Sequence, residues 1–344
     1  MCLEAQAVIT IKDIARSAGV SHTTVSRALR GDTRIAPDTT ERILQLAGDL
    51  GYIPNSIAQS LNAQRTFTIG MLVPSIADPV VMDLLEGAED VAQNRGYCIF
   101  LSTSRNDPAR EFSVVHTFQR RRVDGVIVTA SRSGINCRLA LERLQAPLVL
   151  IDTEEMHEPH PVVDIDNVGG AGLAVAHLLH MGHRRIGYIG ATNRPLTNVR
   201  RYTGYAQTLE QAGIKVDPRW VINPEVEKSE DDIERGRVGL EQCLAAGVTA
   251  IFCFNDQIAI GVLNSCYCKG IAVPQQLSTV GYDDIRAASY VNPPLTTVRQ
   301  PLKRLGSRAM EMVLALIDNK PVQNEMLGCE LVVRASAAPP LGMS

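Results

Sequence analysis

Two groups of residues in this sequence have types and spacings suited to chemistry. The first is His22-Thr23-Thr24-Val25-Ser26-Arg27. Hydroxyl side chains are poor interior helix formers because they bond to nearby backbone groups, yet here they crowd the start of a helical pattern. Short hydroxyls and one arginine near a helix N-terminus are what phosphate oxygens and base edges require. The helix N-terminus itself favours anions. A capped surface helix with a solvated polar face would show the same residues. The second group follows apolar runs of strand type. Asp152 follows 148–151, Asn255 follows 251–254 and Asp283 follows 279–282. Ligands of open α/β sheets bind beyond the carboxyl ends of the strands, although Asn and Asp after a strand also serve as helix N-caps.

Catalytic and cofactor signatures are missing. No GxGxxG stands at a strand–helix turn, and no GxxxxGK[ST], GxSxG or HExxH occurs, which argues against dinucleotide, P-loop, serine-hydrolase and zinc-protease chemistry. Asp164 and Asp166 are a carboxylate pair, read as strand-end residues near a domain crossover rather than as an acid–base couple. Trp220, in an apolar Trp220-Val221-Ile222 run, could stack on a sugar ring but reads better as a strand-end core residue. The eight cysteines include no CxxC pair, and Cys266 and Cys268 have no histidine cluster to complete a zinc set. Reduced, mostly buried thiols in a cytoplasmic protein are expected. No metal, cofactor or catalytic residue is expected.

The elements that must position these residues fall into two patterns. In the first sixty residues, Ile11, Ile14, Ala15 and Ala18 recur at helical spacing, with Thr10 as N-cap, Asp13 three residues on and Gly19 as the stop. Ser21 caps a second helix running to about residue 30 with Val25, Ala28 and Leu29 inside, and 37–50 is a third, with Ile43, Leu46, Ala47 and Leu50 inside. A four-residue turn between the first two helices makes a helix-turn-helix. From Thr68 the pattern becomes apolar runs alternating with helices. Strands are expected at 69–73, 98–101, 126–129 and 148–151, then at 186–189, 221–222, 251–254 and 279–282. Helices are expected near 80–94, 109–121 and 136–144, then near 170–180, 196–212, 230–245 and 257–269. This alternation predicts two doubly wound parallel α/β units.

A chain of 344 residues, 45% hydrophobic, has room for two or three folded domains and is not a disordered chain. No apolar run reaches membrane-spanning length, and Met1–Thr10 lacks the features of a secretory signal. The net charge of −3 does not advertise nucleic acid. The first 66 residues carry +1 and the rest −4, an asymmetry in the direction of a DNA-binding head but small.

The run Ile11-Lys12-Asp13-Ile14-Ala15-Arg16-Ser17-Ala18-Gly19-Val20-Ser21-His22-Thr23-Thr24-Val25-Ser26-Arg27-Ala28-Leu29 resembles the head of the lactose/galactose repressor family. Gly51-Tyr52-Ile53-Pro54-Asn55, with Ala58 and Leu61, resembles that family's entry to its hinge helix. The resemblance continues through Met181-Gly182-His183-Arg184-Arg185-Ile186-Gly187-Tyr188-Ile189-Gly190 and Arg201-Tyr202-Thr203-Gly204-Tyr205. It also covers Phe254-Asn255-Asp256-Gln257-Ile258-Ala259-Ile260-Gly261, Val280-Gly281-Tyr282-Asp283-Asp284 and Pro293-Pro294-Leu295-Thr296-Thr297-Val298-Arg299-Gln300-Pro301.

The resemblance implies a helix-turn-helix head at 1–54 and a hinge helix with linker at 55–66. A core of two lobes, like periplasmic sugar-binding proteins, would follow. One lobe is expected from 67–166 plus about 298–323, the other from 167–297 plus about 324–344. It implies that His22, Thr23 and Arg27 read base edges, Arg27 being the fork suited to guanine. Ser21, Thr24, Ser26 and Asn55 would contact phosphate. The segment 56–62 is too short to be a stable helix alone and is expected to fold with its dimer mate on DNA, with Ala58 and Leu61 in the minor groove and Leu61 as the wedge. Ser56 stands where the family often has a basic residue. By the same resemblance Asp152, Arg201, Asn255 and Asp283 line an effector cleft, with Ser75, Asp78 and Val80 on the other wall and Gln300 at the lobe junction. An arginine with several acceptors suits a polyhydroxyl ligand or one with a carboxylate or carbonyl. Asp256 is assigned to capping the helix that follows it. The implied protein is a dimeric, ligand-responsive repressor of a palindromic operator, with a sugar-like effector and no membrane. A solute receptor would leave residues 1–62 unexplained, and a sugar-processing enzyme would need motifs that are missing.

Overall fold

The computed structural model describes residues 9–29, 31–52, 65–129, 141, 144–152, 160–192, 194–226 and 231–341. Asn55, Ala58 and Leu61 lie outside the described residues, as does all but two positions of the helix expected at 136–144. The chain divides into two compact units, Met1–Thr66 and Phe67–Ser344.

The first unit holds α1 (Ile11–Ala18), α2 (His22–Ala28) and α3 (Pro37–Asp49). Asp13 accepts hydrogen bonds from the Thr10 backbone N–H at 3.0 Å and from its hydroxyl at 2.6 Å, so the start of α1 is fastened. Gly19 ends α1 at φ 65°, where a side chain would be strained. Ser21 Oγ then accepts from Thr24 N–H at 3.1 Å and caps α2. The periodic apolar residues form one small core of Ile14, Ala15, Ala18, Val25, Ala28, Ile43 and Ala47. Leu50, expected inside, is exposed at the end of α3.

The second unit contains two α/β lobes. Their elements are β1 (Thr68–Val73), α4 (Pro79–Asn94), β2 (Cys98–Thr103), α5 (Pro108–Arg121), β3 (Gly125–Thr129), β4 (Leu148–Ile151), β5 (Val162–Ile165), α6 (Asn167–His180), β6 (Ile186–Ile189) and α7 (Pro195–Gln211). There follow β7 (Val221–Ile222), α8 (Asp232–Ala245), β8 (Ala250–Cys253), α9 (Asp256–Lys269), β9 (Ser278–Asp283), β10 (Thr296–Arg299), α10 (Leu302–Ile317), β11 (Glu325–Leu327) and β12 (Glu330–Val332). The first sheet runs β11-β5-β4-β3-β1-β2 and the second β12-β10-β9-β8-β6-β7. All neighbours are parallel except β12, which pairs antiparallel with β10.

The chain passes between the lobes three times: at Asp166, at Gln300-Pro301 and at Gly328-Cys329. The second and third passages fall slightly later than the expected breaks near 298 and 324. β10 stays with the second sheet through Arg299, and β11 still belongs to the first. The third passage takes place between strands of only three residues, too short for periodicity to reveal. Five elements (β5, β10, α10, β11 and β12) were absent from the expected strand and helix series.

Glycines set the helix packing. An added Cβ on Gly306 of α10 would sit 1.9 Å from the Leu84 carbonyl oxygen of α4, and one on Gly87 of α4 would sit 2.0 Å from that of Lys303. The two helices therefore touch backbone to backbone over the first sheet. Gly236 and Gly261 do the same for α8 and α9, at 2.0 Å each. Trp220 is buried in the second lobe's core, in keeping with its reading as a core residue.

Candidate functional site

Within the first unit, α2 carries a polar face. Val25 and Ala28 are buried in the core, which turns Ser21, His22 and Thr23 to solvent and leaves Thr24, Ser26 and Arg27 half-buried. Ser21 and Thr24 share a hydroxyl–hydroxyl hydrogen bond of 2.9 Å. The cap thus satisfies one N–H of α2 with a neutral oxygen and brings no carboxylate, since the first turn of α2 contains no acid. The positive end of the helix therefore stands without an acid in its first turn. Arg42 of α3 donates to the Ala18 carbonyl at 3.0 Å, locking the third helix to the end of the first.

Within the second unit, the carboxyl ends of both sheets face one cleft. The first lobe contributes Asp78, Asp152 and Asp164. Asp78 caps α4 by accepting from Val80 N–H at 3.3 Å and also pairs with Arg194. Val80 itself packs partly on the first lobe's core, and Ser75 Oγ accepts from Ala77 N–H at 3.2 Å. Asp152 adopts φ 44°, in the left-handed region. That backbone is not the extended one an N-cap adopts. Asp164, at the end of β5, accepts from Arg200 at 2.9 Å, and the same guanidinium nitrogen lies 3.8 Å from Asp152. Burial, then the neighbouring Asp164, raise the Asp152 pKa above the usual carboxylate value, against the pull of Arg201, Arg194 and Arg200.

The second lobe contributes the arginines. Arg201 is 2% exposed. Its Nε donates to Asn167 Oδ1 at 3.0 Å, its Nη1 donates to the Phe254 carbonyl, and its Nη2 lies 3.4 Å from Asp283. The Phe254 and Tyr282 rings flank its guanidinium, with centroids at 4.5 and 3.6 Å. Asp283 also accepts from Gln300, which fixes the residue at the lobe junction. Burial pushes the Asp283 pKa up to about 6, with Arg201 the first of the groups opposing the rise. The positive φ of 108° at Asp283 lies at the end of β9 and caps no helix.

Asn255 behaves differently. Its Oδ1 accepts from Ile258 N–H at 2.9 Å, which makes it the N-cap of α9, and its Nδ2 donates to Asp232 at 2.6 Å. Both ends of the amide are committed. Asp256, expected to be the cap, is not one. It is fully buried at the first helical position, accepting from Ile285 N–H at 2.9 Å and from the Thr297 hydroxyl. The cap falls one residue earlier because Asn255 has the extended backbone a cap requires.

Of the expected cleft residues, the structure brings Asp78, Asp152, Arg201, Asp283 and Gln300 into one charged network. Ser75 and Val80 serve the turn into α4. The residues that the sequence reading missed are Arg194, Arg200, Asp164, Asp232 and Arg235. Arg194 and Arg200 reach carboxylates of the other lobe, and their only sequence signal is that they stand seven and one residues before Arg201. Asp164 reads from sequence as a strand-end residue, and its pairing with Arg200 has no local sequence signal. Thr129, 8% exposed at the carboxyl end of β3, has a hydroxyl without a partner among the described residues. No group of His, Cys, Asp or Glu that could hold a metal ion occurs among the described residues, and no described helix is long and apolar enough to cross a membrane.

A capped helix-turn-helix followed by two parallel α/β lobes around a polar cleft defines a DNA-binding regulator with a ligand-binding core. Residues 10–55 match the model of bacterial regulatory proteins of the lacI family, and residues 175–337 match a periplasmic binding protein-like domain. The HTH-type transcriptional repressor PurR of Histophilus somni (strain 129Pt) is 30% identical over 332 residues, 95% of this chain and 98% of that protein. The Lac repressor dimer bound to operator and the anti-inducer ONPF superposes with a TM-score of 0.85 at 25% identity, covering 96% of this chain and 99% of that one. The transcriptional regulator CelR in complex with cellobiose has a TM-score of 0.71 at 27% identity, over 95% and 99% of the two chains. The chain belongs to the LacI family of bacterial transcriptional regulators, which are not enzymes.

Proposed function

We propose that this chain is a repressor that binds a palindromic operator as a homodimer and senses a sugar or sugar derivative between its two core lobes. The observation that carries the reading is the Arg201–Asp283–Gln300 cluster buried beyond the carboxyl ends of the second sheet, in a chain that starts with a helix-turn-helix. The operator-bound Lac repressor dimer and the cellobiose-bound CelR support it by likeness. In this proposal His22, Thr23 and Arg27 read base edges, and Ser21, Thr24, Ser26 and Asn55 hold phosphates. Ala58 and Leu61 enter the minor groove; these two and Asn55 are assigned from their motif alone. Arg201, Asp283 and Asp152 contact the effector, with Ser75, Asp78 and Val80 shaping the opposite wall. Gln300 and Asn255 act one step back, holding Asp283 and Asp232. The protein works in the cytoplasm, where its DNA target lies. Effector and operator are coupled because both favour particular lobe arrangements.

The test is a binding-site selection on random duplex DNA with the full-length protein, followed by thermal shifts against sugars, sugar acids and nucleobases. Enrichment of a palindrome and a shift lost in Arg201→Ala are expected. Enrichment of no sequence would overturn the operator claim. A shift unaffected by Arg201→Ala would place the ligand elsewhere.

A further inference from the structure

We propose that the cleft takes an uncharged ligand rich in hydroxyl hydrogens and rejects phosphorylated or carboxylated ones, because every arginine there is already bound to a carboxylate. This deepens the effector reading above and rests on it. Among the described residues, Arg194 pairs with Asp78, Arg200 with Asp164, Arg201 with Asp283 and Arg235 with Asp232. Asp152 is a fifth carboxylate, 3.8 Å from an arginine that is already closer to Asp164. With all groups ionised the cleft carries one surplus negative charge.

The two buried arginines have little left to offer an anion. The side chains of Arg201 and Arg235 are 3% and 1% exposed. Arg201 spends Nε and Nη1 on Asn167 and the Phe254 carbonyl. Arg235 Nη1 donates to the Thr192 hydroxyl at 3.0 Å and to the Pro224 carbonyl. Only Arg194 and Arg200 show appreciable surface, 26% and 22%. Both reach across the cleft: Arg194 stands just before α7 and grips the head of α4, and Arg200 on α7 grips the end of β5. An anionic ligand drawing either guanidinium to itself would compete with a largely buried aspartate, Asp78 or Asp164, whose side chains are 13% and 12% exposed. That aspartate would then be left charged and unpaired beside others of the same sign, and a lobe-to-lobe contact would be lost.

A hydroxyl-rich ligand meets the opposite situation. The carboxylate oxygens accept its hydrogens through charge-assisted bonds, the surplus Asp152 being the most available.

The experiment uses full-length protein and three probes, ribose 5-phosphate, gluconate and inorganic phosphate, at constant ionic strength. Binding is read by calorimetry and thermal shift for the wild type, Asp152→Asn/Asp164→Asn and that double variant with Arg200→Met added. The wild type should bind none of the three. The double variant, with Arg200 released, should gain binding of ribose 5-phosphate by about tenfold or more, the value of one charge-assisted hydrogen bond. Adding Arg200→Met should remove the gain. Wild-type binding of any probe that weakens in Arg194→Met or Arg200→Met overturns the proposal. So does a cooperatively melting double variant with no gain, and if the double variant fails to fold, Asp164→Asn alone answers the same question. Failure of the regulatory reading would look different: no operator enrichment, whatever the anion result.

Discussion

Replacing Arg201 with Met tests whether the buried arginine cluster is an electrostatic unit or mere packing. Methionine keeps most of the volume between the Phe254 and Tyr282 rings and can make sulfur–aromatic contacts there. It removes the donors to Asn167 and the Phe254 carbonyl and the counter-charge of Asp283. Breaking a buried pair by deleting one partner costs about 3–5 kcal/mol. Methionine packing and the relieved desolvation of the guanidinium offset about 1 kcal/mol of that, so a net loss of about 3 kcal/mol is expected near neutral pH.

The loss should also depend on pH. Asp283 already has a folded-state pKa of about 6 against an ordinary value of 3.8. A folded carboxylate with a raised pKa binds more protons than the unfolded one, so stability falls as pH rises between the two values. Without Arg201 the upper value moves higher, and Asp152, which Arg201 also steadies, moves the same way. Above pH 6 the variant therefore keeps losing stability, by up to about 1.4 kcal/mol per pH unit from Asp283, while the wild-type Asp283 is already largely ionised. The assay is urea unfolding at pH 5.5 and 7.5. Trp220, the sole tryptophan and buried in this lobe's core, provides the signal. A gap under 1 kcal/mol at pH 7.5, or the same gap at both pH values, would refute the electrostatic account.

Two further outcomes follow from the geometry. Gly306→Ala gains about 1 kcal/mol of helix propensity but drives a methyl group into the Leu84 carbonyl. Overpacking of about 1–3 kcal/mol or more should win, so the full chain should melt lower than wild type, and an equal or higher melting temperature would show that α4 and α10 separate freely. Arg27→Ala should cost about 1–3 kcal/mol of specific DNA binding and relax one operator position; an unchanged selected sequence would remove Arg27 from the base-reading set.

The sequence by itself determined the local structure. The Thr10/Asp13 and Ser21 caps, the stop at Gly19 and the 148–151, 186–189 and 221–222 strands were legible because their signals lie within a turn or two of the residues they govern. The helix-turn-helix and the two-lobed core were legible for the same reason, as was the family. Asp152, Arg201 and Asp283 could be named because strand ends and motif positions are local features.

Tertiary structure decided what each charged side chain faces. Arg200 meets Asp164 from 36 residues away, and Arg194 meets Asp78 from 116 away. No periodicity encodes a pairing made by two lobes closing on each other. β11 and β12 share only three residues each with their partners, and β11 becomes a strand because the edge of β5 is there to receive it. The identity of the α9 cap turned on backbone geometry, which a choice between adjacent Asn and Asp cannot reveal. Charge and residue type are properties of a sequence, whereas pairing and desolvation belong to the assembled fold. In this cleft, pairing and desolvation determine which arginines are free to bind.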